Sequence, residues 1–127
     1  MTNERSAKIT IGGLDYELIL TTKATKEIAK RYGGLEDLGE KLMKAENFEM
    51  ALDEIVWLIT LLANQSIYIY NRLNEEKKEL LTEDDVELLT SPVEMATFKD
   101  AIMEAMFKGT KRYIESEEAD TKNEVVE

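Results

Sequence analysis

Residues Ile9-Thr-Ile-Gly-Gly-Leu-Asp-Tyr-Glu-Leu-Ile-Leu20 read as a β-hairpin standing alone ahead of an otherwise helical sequence. Two strands by themselves are at best marginally stable in water. This hairpin must therefore be covered by the helices that follow, or completed by another chain. The two-residue Gly12-Gly13 loop supplies the positive φ angles of a type I′ or II′ turn and sets Ile11 opposite Leu14. Ile9 then faces Tyr16 and Ala7 faces Leu18 on one apolar side, which the helices are expected to cover. Thr10 meets Asp15 and Lys8 meets Glu17 on the other side, a pairing suited to water. Ile19 breaks the alternation, because it points to the side that should be polar. An unblunted strand edge invites pairing with a neighbour, so the hairpin is expected to act as a self-association contact.

The rest of the chain carries helical punctuation. Thr21-Thr22 offers cap hydroxyls to a helix over 22–32 that presents Ala24, Ile28, Ala29 and Tyr32 on one face and ends at Gly33-Gly34. A weaker pattern with Leu35, Leu38, Leu42 and Met43 predicts a helix over 35–45, interrupted by Gly39. The longest helix is expected over 48–73, and its centre from Ile55 to Ala63 is apolar almost all round, as suits a helix contacted from several sides. Ser66-Ile-Tyr-Ile-Tyr70 alternates like a strand, but continuity with the flanking pattern favours helix. Thr82 with Asp85 reads as a capping box opening a helix over 82–89. Ser91-Pro-Val-Glu94 reads as the start of a last helix over 92–108, with Met95, Phe98, Ile102, Met103 and Met106 at helical spacing. The expected class is α+β, mainly α: an N-terminal β-hairpin over 7–20 followed by about five helices in a single globular domain over 1–113. Residues 114–127 form an acidic tail expected to be disordered.

Charge and composition narrow the partners. The formal charge is −11 over 127 residues, which argues against a nucleic-acid backbone or an anionic membrane as partner. The stretch from Glu115 to Glu127 holds −5 of that charge, leaving −6 on the body. No apolar run approaches the roughly 18 residues needed to span a membrane, and the N-terminus has no secretory apolar segment. With no cysteine there are no disulfides and no thiolate chemistry.

The chain also has no histidine, which removes the commonest general base and the commonest metal ligand. Glu83, Asp84, Asp85 and Glu87 are the densest carboxylates, but a solvated helix start is the opposite of the desolvated setting that raises a carboxyl pKa. They also lack calcium-loop spacing. Neither glycine pair forms a phosphate-binding loop. Trp57, inside the most apolar stretch, is expected in the core. Tyr68 and Tyr70 lie near the end of the long helix on different faces, so at least one is expected at the rim or at a subunit contact. Met95, Met103 and Met106 make a flexible stripe suited first to core packing and second to an adaptable groove. The candidate self-association or partner surface is Ile19, Tyr68, Tyr70, Met103 and Met106. No catalytic, cofactor-binding or metal-binding residue is expected.

The order of features, from Ile9-Thr-Ile-Gly-Gly-Leu-Asp-Tyr-Glu-Leu through Arg31-Tyr-Gly-Gly-Leu-Glu-Asp-Leu38, Trp57-Leu-Ile-Thr-Leu-Leu-Ala63 and Leu81-Thr-Glu-Asp-Asp-Val-Glu-Leu-Leu-Thr-Ser-Pro92, spans most of the chain from Ile9 to Gly109. This layout resembles the tail assembly chaperones of long-tailed bacteriophages, prophages and gene transfer agents. The resemblance implies a non-enzymatic role: binding the tape measure protein, keeping its hydrophobic helices soluble and helping to recruit the tail tube protein. It also implies a homo-oligomer built on a heterologous contact that does not close. The place of action would be the cytoplasm of the bacterial host, with the protein absent from the mature virion. Many such chaperones are made in two forms by a programmed frameshift, and a chain ending in an acidic tail suits the shorter one. Two alternatives come from other classes. One is a small acidic phage or mobile-element interaction protein that sequesters a basic host protein. The other is a carboxylate-dependent hydrolase built on Glu83, Asp84 and Asp85.

Overall fold

The computed structural model of the protein describes residues 6–34, 36 and 48–109, with residues 48–51 as backbone only. Strands β1 (Ser6–Ile11) and β2 (Leu14–Ile19) pair antiparallel as a two-stranded sheet. Their register follows from the turn: Ile11 faces Leu14, Ile9 faces Tyr16, Ala7 faces Leu18 and Ser6 faces Ile19. Gly12 and Gly13 both have positive φ, 58° and 83°, which is the type I′ pattern rather than II′. Along β1 the alternation is clean, with Ala7, Ile9 and Ile11 buried and Lys8 and Thr10 exposed.

Among the described residues four helices follow. Helix α1 (Thr22–Tyr32) is capped by Thr21, whose hydroxyl accepts the Ala24 N–H at 3.0 Å. It closes at Gly33, which adopts φ 98° and donates its N–H to the Ala29 carbonyl at 2.8 Å. Helix α2 (Phe48–Leu73) runs unbroken through Ser66–Tyr70, so the strand-like alternation there is overridden by its helical neighbours. Helix α3 (Glu83–Leu89) opens on the expected capping box: the Asp85 N–H donates to the Thr82 hydroxyl at 3.0 Å, and the Thr82 N–H donates to the Asp85 carboxylate at 3.1 Å. Helix α4 covers residues 94–109. It begins two residues later than the proline at position 92 suggested, because the first turn is of the tighter i→i−3 type. There the Glu94 N–H donates to the Ser91 carbonyl and the Met95 N–H to the Pro92 carbonyl. Glu94 does reach back, accepting the Ser91 N–H at 3.0 Å. The expected helix over 35–45 and the tail over 114–127 lie outside the described residues.

The core forms where the hairpin's apolar face meets α2. Ala7, Ile9, Ile11 and Leu18 from the sheet join Ile55, Leu58, Ile59 and Leu62 from the long helix. The α2 residues recur at helical spacing, so one stripe faces the strands, and β2 is the strand it packs against most. Ala24 and Ile28 of α1, Val86 of α3, and Met95, Phe98, Ile102 and Ala105 of α4 close the same cluster. Gln65 is buried at 2% exposure, but its amide is satisfied. It accepts from the Thr21 hydroxyl at 2.5 Å and donates to the Leu61 carbonyl at 3.0 Å. Thr21 thus starts α1 and ties it to α2.

Ile19 corrects the sequence reading. It was expected on an open, polar side, yet it is 2% exposed within the single chain. Exposure falls steadily along β2, from exposed Leu14 and Asp15 to buried Leu18 and Ile19. The far end of the strand is enclosed on both faces, so the second face requires an apolar residue there.

Leu62→Ala removes a fully buried side chain from the α2 stripe facing the strands. Urea denaturation should show a loss of about 2–5 kcal/mol.

Candidate binding cleft

Two asparagines on α2 build one wall of the site. The Asn64 amide donates to the Leu81 carbonyl at 2.8 Å and accepts the Leu81 N–H at 2.7 Å. Asn71 does the same to Lys78, at 3.1 and 2.8 Å. Each side-chain amide thus mimics a neighbouring strand for one connector residue. The two asparagines are about two helical turns apart, so they share a face and stand about 10.5 Å apart along the axis. Three residues of fully extended chain reach about 10–11 Å. The segment from Lys78 to Leu81 is therefore drawn nearly straight along α2, running antiparallel to it. The Lys77 ammonium steadies the entry to this segment by donating to the carbonyls of Asn71 and Asn74 at the end of α2.

Between this connector and the hairpin lies a cleft of about 580 Å³. Ser66, Ile67 and Tyr70 of α2 form part of its lining, and Glu79, Leu80 and Leu81 stand on the connector side. On the hairpin side it is lined by Leu14, Asp15, Tyr16 and Glu17 in unbroken succession. Side chains of consecutive strand residues point to opposite faces. A groove on one face would therefore touch alternate residues only, so this one runs along the edge of β2. No β1 residue lines it, which makes it the edge facing away from β1.

The cleft's charge is lopsided. Asp15, Glu17, Glu79 and Asp85 contribute four carboxylates against one lysine, Lys78. That lysine is folded over the Tyr70 ring, with Nζ 4.1 Å from the centroid. Three of the carboxylates also accept local bonds. Asp15 accepts from the Thr10 hydroxyl at 2.7 Å, Glu17 from the Ser6 hydroxyl at 3.3 Å and Asp85 from the Thr82 N–H. A carboxylate has about four acceptor positions, so each retains capacity for an incoming donor.

A smaller groove of about 290 Å³ lies elsewhere along α2, where Trp57, Leu61 and Tyr68 meet Lys23 and Glu27 of α1. Trp57 was expected in the core and is instead half-buried at its margin. Its ring is 5.9 Å from Tyr32 in an edge-on arrangement, and the Arg31 guanidinium sits 4.4 Å above it. Arg31 also pairs with the Glu54 carboxylate at 3.4 Å. The amphipathic indole thus serves as a stacking platform for this chain's own arginine.

The structure disperses the expected partner surface. Ile19 and Met106 are buried, and Met103 is half-buried against the core. Met106 lies on the inward face of α4 with Phe98, Ile102 and Ala105, so it is a packing residue rather than an open contact. Tyr68 is exposed at 39%, with the Lys23 ammonium 5.0 Å from its ring centre. Tyr70 is half-buried and lines the larger cleft. Of the five residues, only Tyr70 belongs to that cleft. Leu14, Asp15, Glu17, Glu79 and Leu80 do so without having been singled out. Leu14 and the two acids were visible in the hairpin alternation, but nothing in the sequence placed the connector beside them. Glu83, Asp84 and Glu87 are exposed on α3, while Asp85 serves the capping box. Among the described residues no group of acidic side chains is placed to hold a metal ion. Among them too, no helix is long and apolar enough to cross a membrane.

Comparison of the chain with protein-family models, with curated proteins and with solved structures finds no match.

The asparagine pair makes a differential prediction. Asn64→Leu strands the N–H and carbonyl of buried Leu81 and should cost about 1–3 kcal/mol in urea denaturation. Asn71→Leu releases exposed Lys78 to water and should cost about 0.5–1 kcal/mol. Equal costs would contradict the division between a buried and a solvated anchor.

Proposed function

We propose that the protein is a non-enzymatic tail assembly chaperone of a long-tailed phage or prophage, which binds the tape measure protein and keeps it soluble during tail morphogenesis. The observation that carries this reading is a set of large apolar side chains left open, of which Leu14 and Leu89 lie at the hairpin turn. Leu14 is 63% exposed and Leu89 53%, and Leu89 lies against Gly12 of the turn. Leu88 at 74% and Val93 at 85% flank Leu89 in the chain, and Leu80 at 43% borders the cleft. Leu14 and Leu80 line one cleft and Leu89 abuts the turn beside Leu14, and exposed apolar side chains gathered in this way mark interaction sites for partners with apolar surface of their own. The long hydrophobic helices of a tape measure protein are such a partner. The layout resemblance supports the same reading, since a hairpin, a long central helix and a closing amphipathic helix occur here in that order.

On this reading the chain works in the cytoplasm of the bacterial host, self-associates, helps to bring tail tube protein to the tape measure and leaves before the virion is complete. The rival reading, sequestration of a basic host protein, draws on the −11 charge and predicts binding that collapses as salt is raised.

Co-expression with the cognate tape measure protein tests the proposal. A soluble complex that survives gel filtration at high salt is expected. A tape measure that remains insoluble, with no complex recovered, would sink it. Replacing Leu88, Leu89 and Val93 together by Ser should leave the chain folded, because all three are largely exposed, while lowering the yield of complex about tenfold or more.

A further inference from the structure

We propose that the cleft between β2 and the 78–81 connector receives an extended protein segment, with alternating apolar and basic residues, as a third strand on the free edge of β2. The inference stands on the cleft alone and does not depend on which protein supplies the segment.

The hairpin geometry fixes which backbone groups are on offer. In a two-residue type I′ hairpin the residues flanking the loop, Ile11 and Leu14, form the bonded pair, and bonded and non-bonded pairs then alternate. Leu14, Tyr16 and Leu18 therefore spend their backbone groups on β1. Asp15 and Glu17 turn theirs away from it. The opposite edge of the sheet confirms this phase: Ser6, in the non-bonded pair with Ile19, turns its carbonyl outward to accept the Lys108 ammonium at 2.8 Å. Lys108 so occupies one outward position of β1, the kind of lysine that blunts a strand edge. Among the described residues β2 has no strand on its outer side, and the cleft runs along that side.

The side chains of β2 then define the guest. Leu14 and Tyr16 project to one face of the sheet, and Asp15 and Glu17 to the other. A third strand in register presents its own alternating side chains beside these two faces. Apolar residues beside Leu14 and Tyr16 would also meet Ile67, Tyr70 and Leu80. Basic residues beside Asp15 and Glu17 would meet like-placed opposite charges, the favourable cross-strand pairing. The imbalance of four carboxylates to one lysine points the same way, and excludes an acidic guest. Backbone bonds supply affinity in strand addition, and the alternating side chains supply specificity.

The test uses the full 127-residue chain, NMR-labelled, with three capped peptides of equal charge. The first alternates lysine and valine over eight residues. The second has the same sequence with alternate backbone nitrogens methylated along one edge, prepared for both possible edges. The third is an amphipathic lysine–leucine helix. The first peptide is expected to shift the resonances of Leu14–Glu17 and Leu80. At saturation it should slow amide exchange at Asp15 and Glu17 about tenfold or more. Methylation of the bonding edge should weaken binding about tenfold or more. Glu79→Lys, at an exposed residue, should weaken it about tenfold without changing the spectrum elsewhere. Absence of binding overturns the inference, as does binding that is indifferent to methylation of either edge. Preference for the helical peptide at the cleft also overturns it. These outcomes are read on the cleft alone, so failure here leaves the chaperone reading standing.

Discussion

The apolar face of the hairpin is stable only because helices cover it, and the packing of α2 along β2 is the contact that joins the sheet to the longest helix. A two-stranded sheet has no second layer of its own. Here Ile9, Ile11 and Leu18 are buried in one cluster with Ile55, Leu58, Ile59 and Leu62, and β2 is the strand that packs on α2. Each such side chain contributes roughly 1.5–3 kcal/mol on burial, so a handful of them outweighs the weakness of an isolated hairpin. Helices α1 and α4 join the same cluster through Ile28, Phe98 and Ile102. The Thr21–Gln65 bond fixes where α1 begins relative to α2.

Packing alone would leave the chain between α2 and α3 without a defined path, because Asn74 to Leu80 is exposed throughout. The asparagine pair supplies that path by hydrogen bonding instead. Asn64 and Asn71 hold Leu81 and Lys78 to one face of the helix, and the matched reach of two helical turns and three extended residues draws the connector straight. The result is a wall opposite the open edge of β2. The two side-chain amides thus set one wall of the cleft and bring Glu79 into the same lining as Asp15 and Glu17 of the hairpin.

The functional reading follows from what the fold leaves uncovered. Leu14 and Leu89 remain open at the turn end of the hairpin, and among the described residues β2 has no strand on its outer edge, where a carboxylate-rich cleft runs. On the proposed reading both surfaces would hold other polypeptide, one through apolar contact and one through backbone pairing. A chaperone for a long hydrophobic partner would use the first kind of surface. The second adds a way to grip an extended stretch of chain between or beside helices.

Local order was largely written in the sequence. Gly12-Gly13 fixed the turn and register, Thr21, Gly33 and the Thr82–Asp85 box fixed helix ends, and periodicity fixed the inward faces of α2 and α4. These are short-range effects, decided by neighbours within a few residues. What tertiary structure alone decided lies at longer range. Ile19 is buried because the end of β2 is enclosed on both faces, which alternation within one strand cannot report. Trp57 sits at the margin because Arg31 and Tyr32 of another helix meet it there. Met106 turned out to be packing rather than surface, since burial depends on what faces the stripe as well as on its spacing. The cleft joins residues near position 15 to residues near position 80 through a helix between them. No local pattern carries that juxtaposition, because it arises from where α2 crosses the hairpin and where its asparagines hold the returning chain.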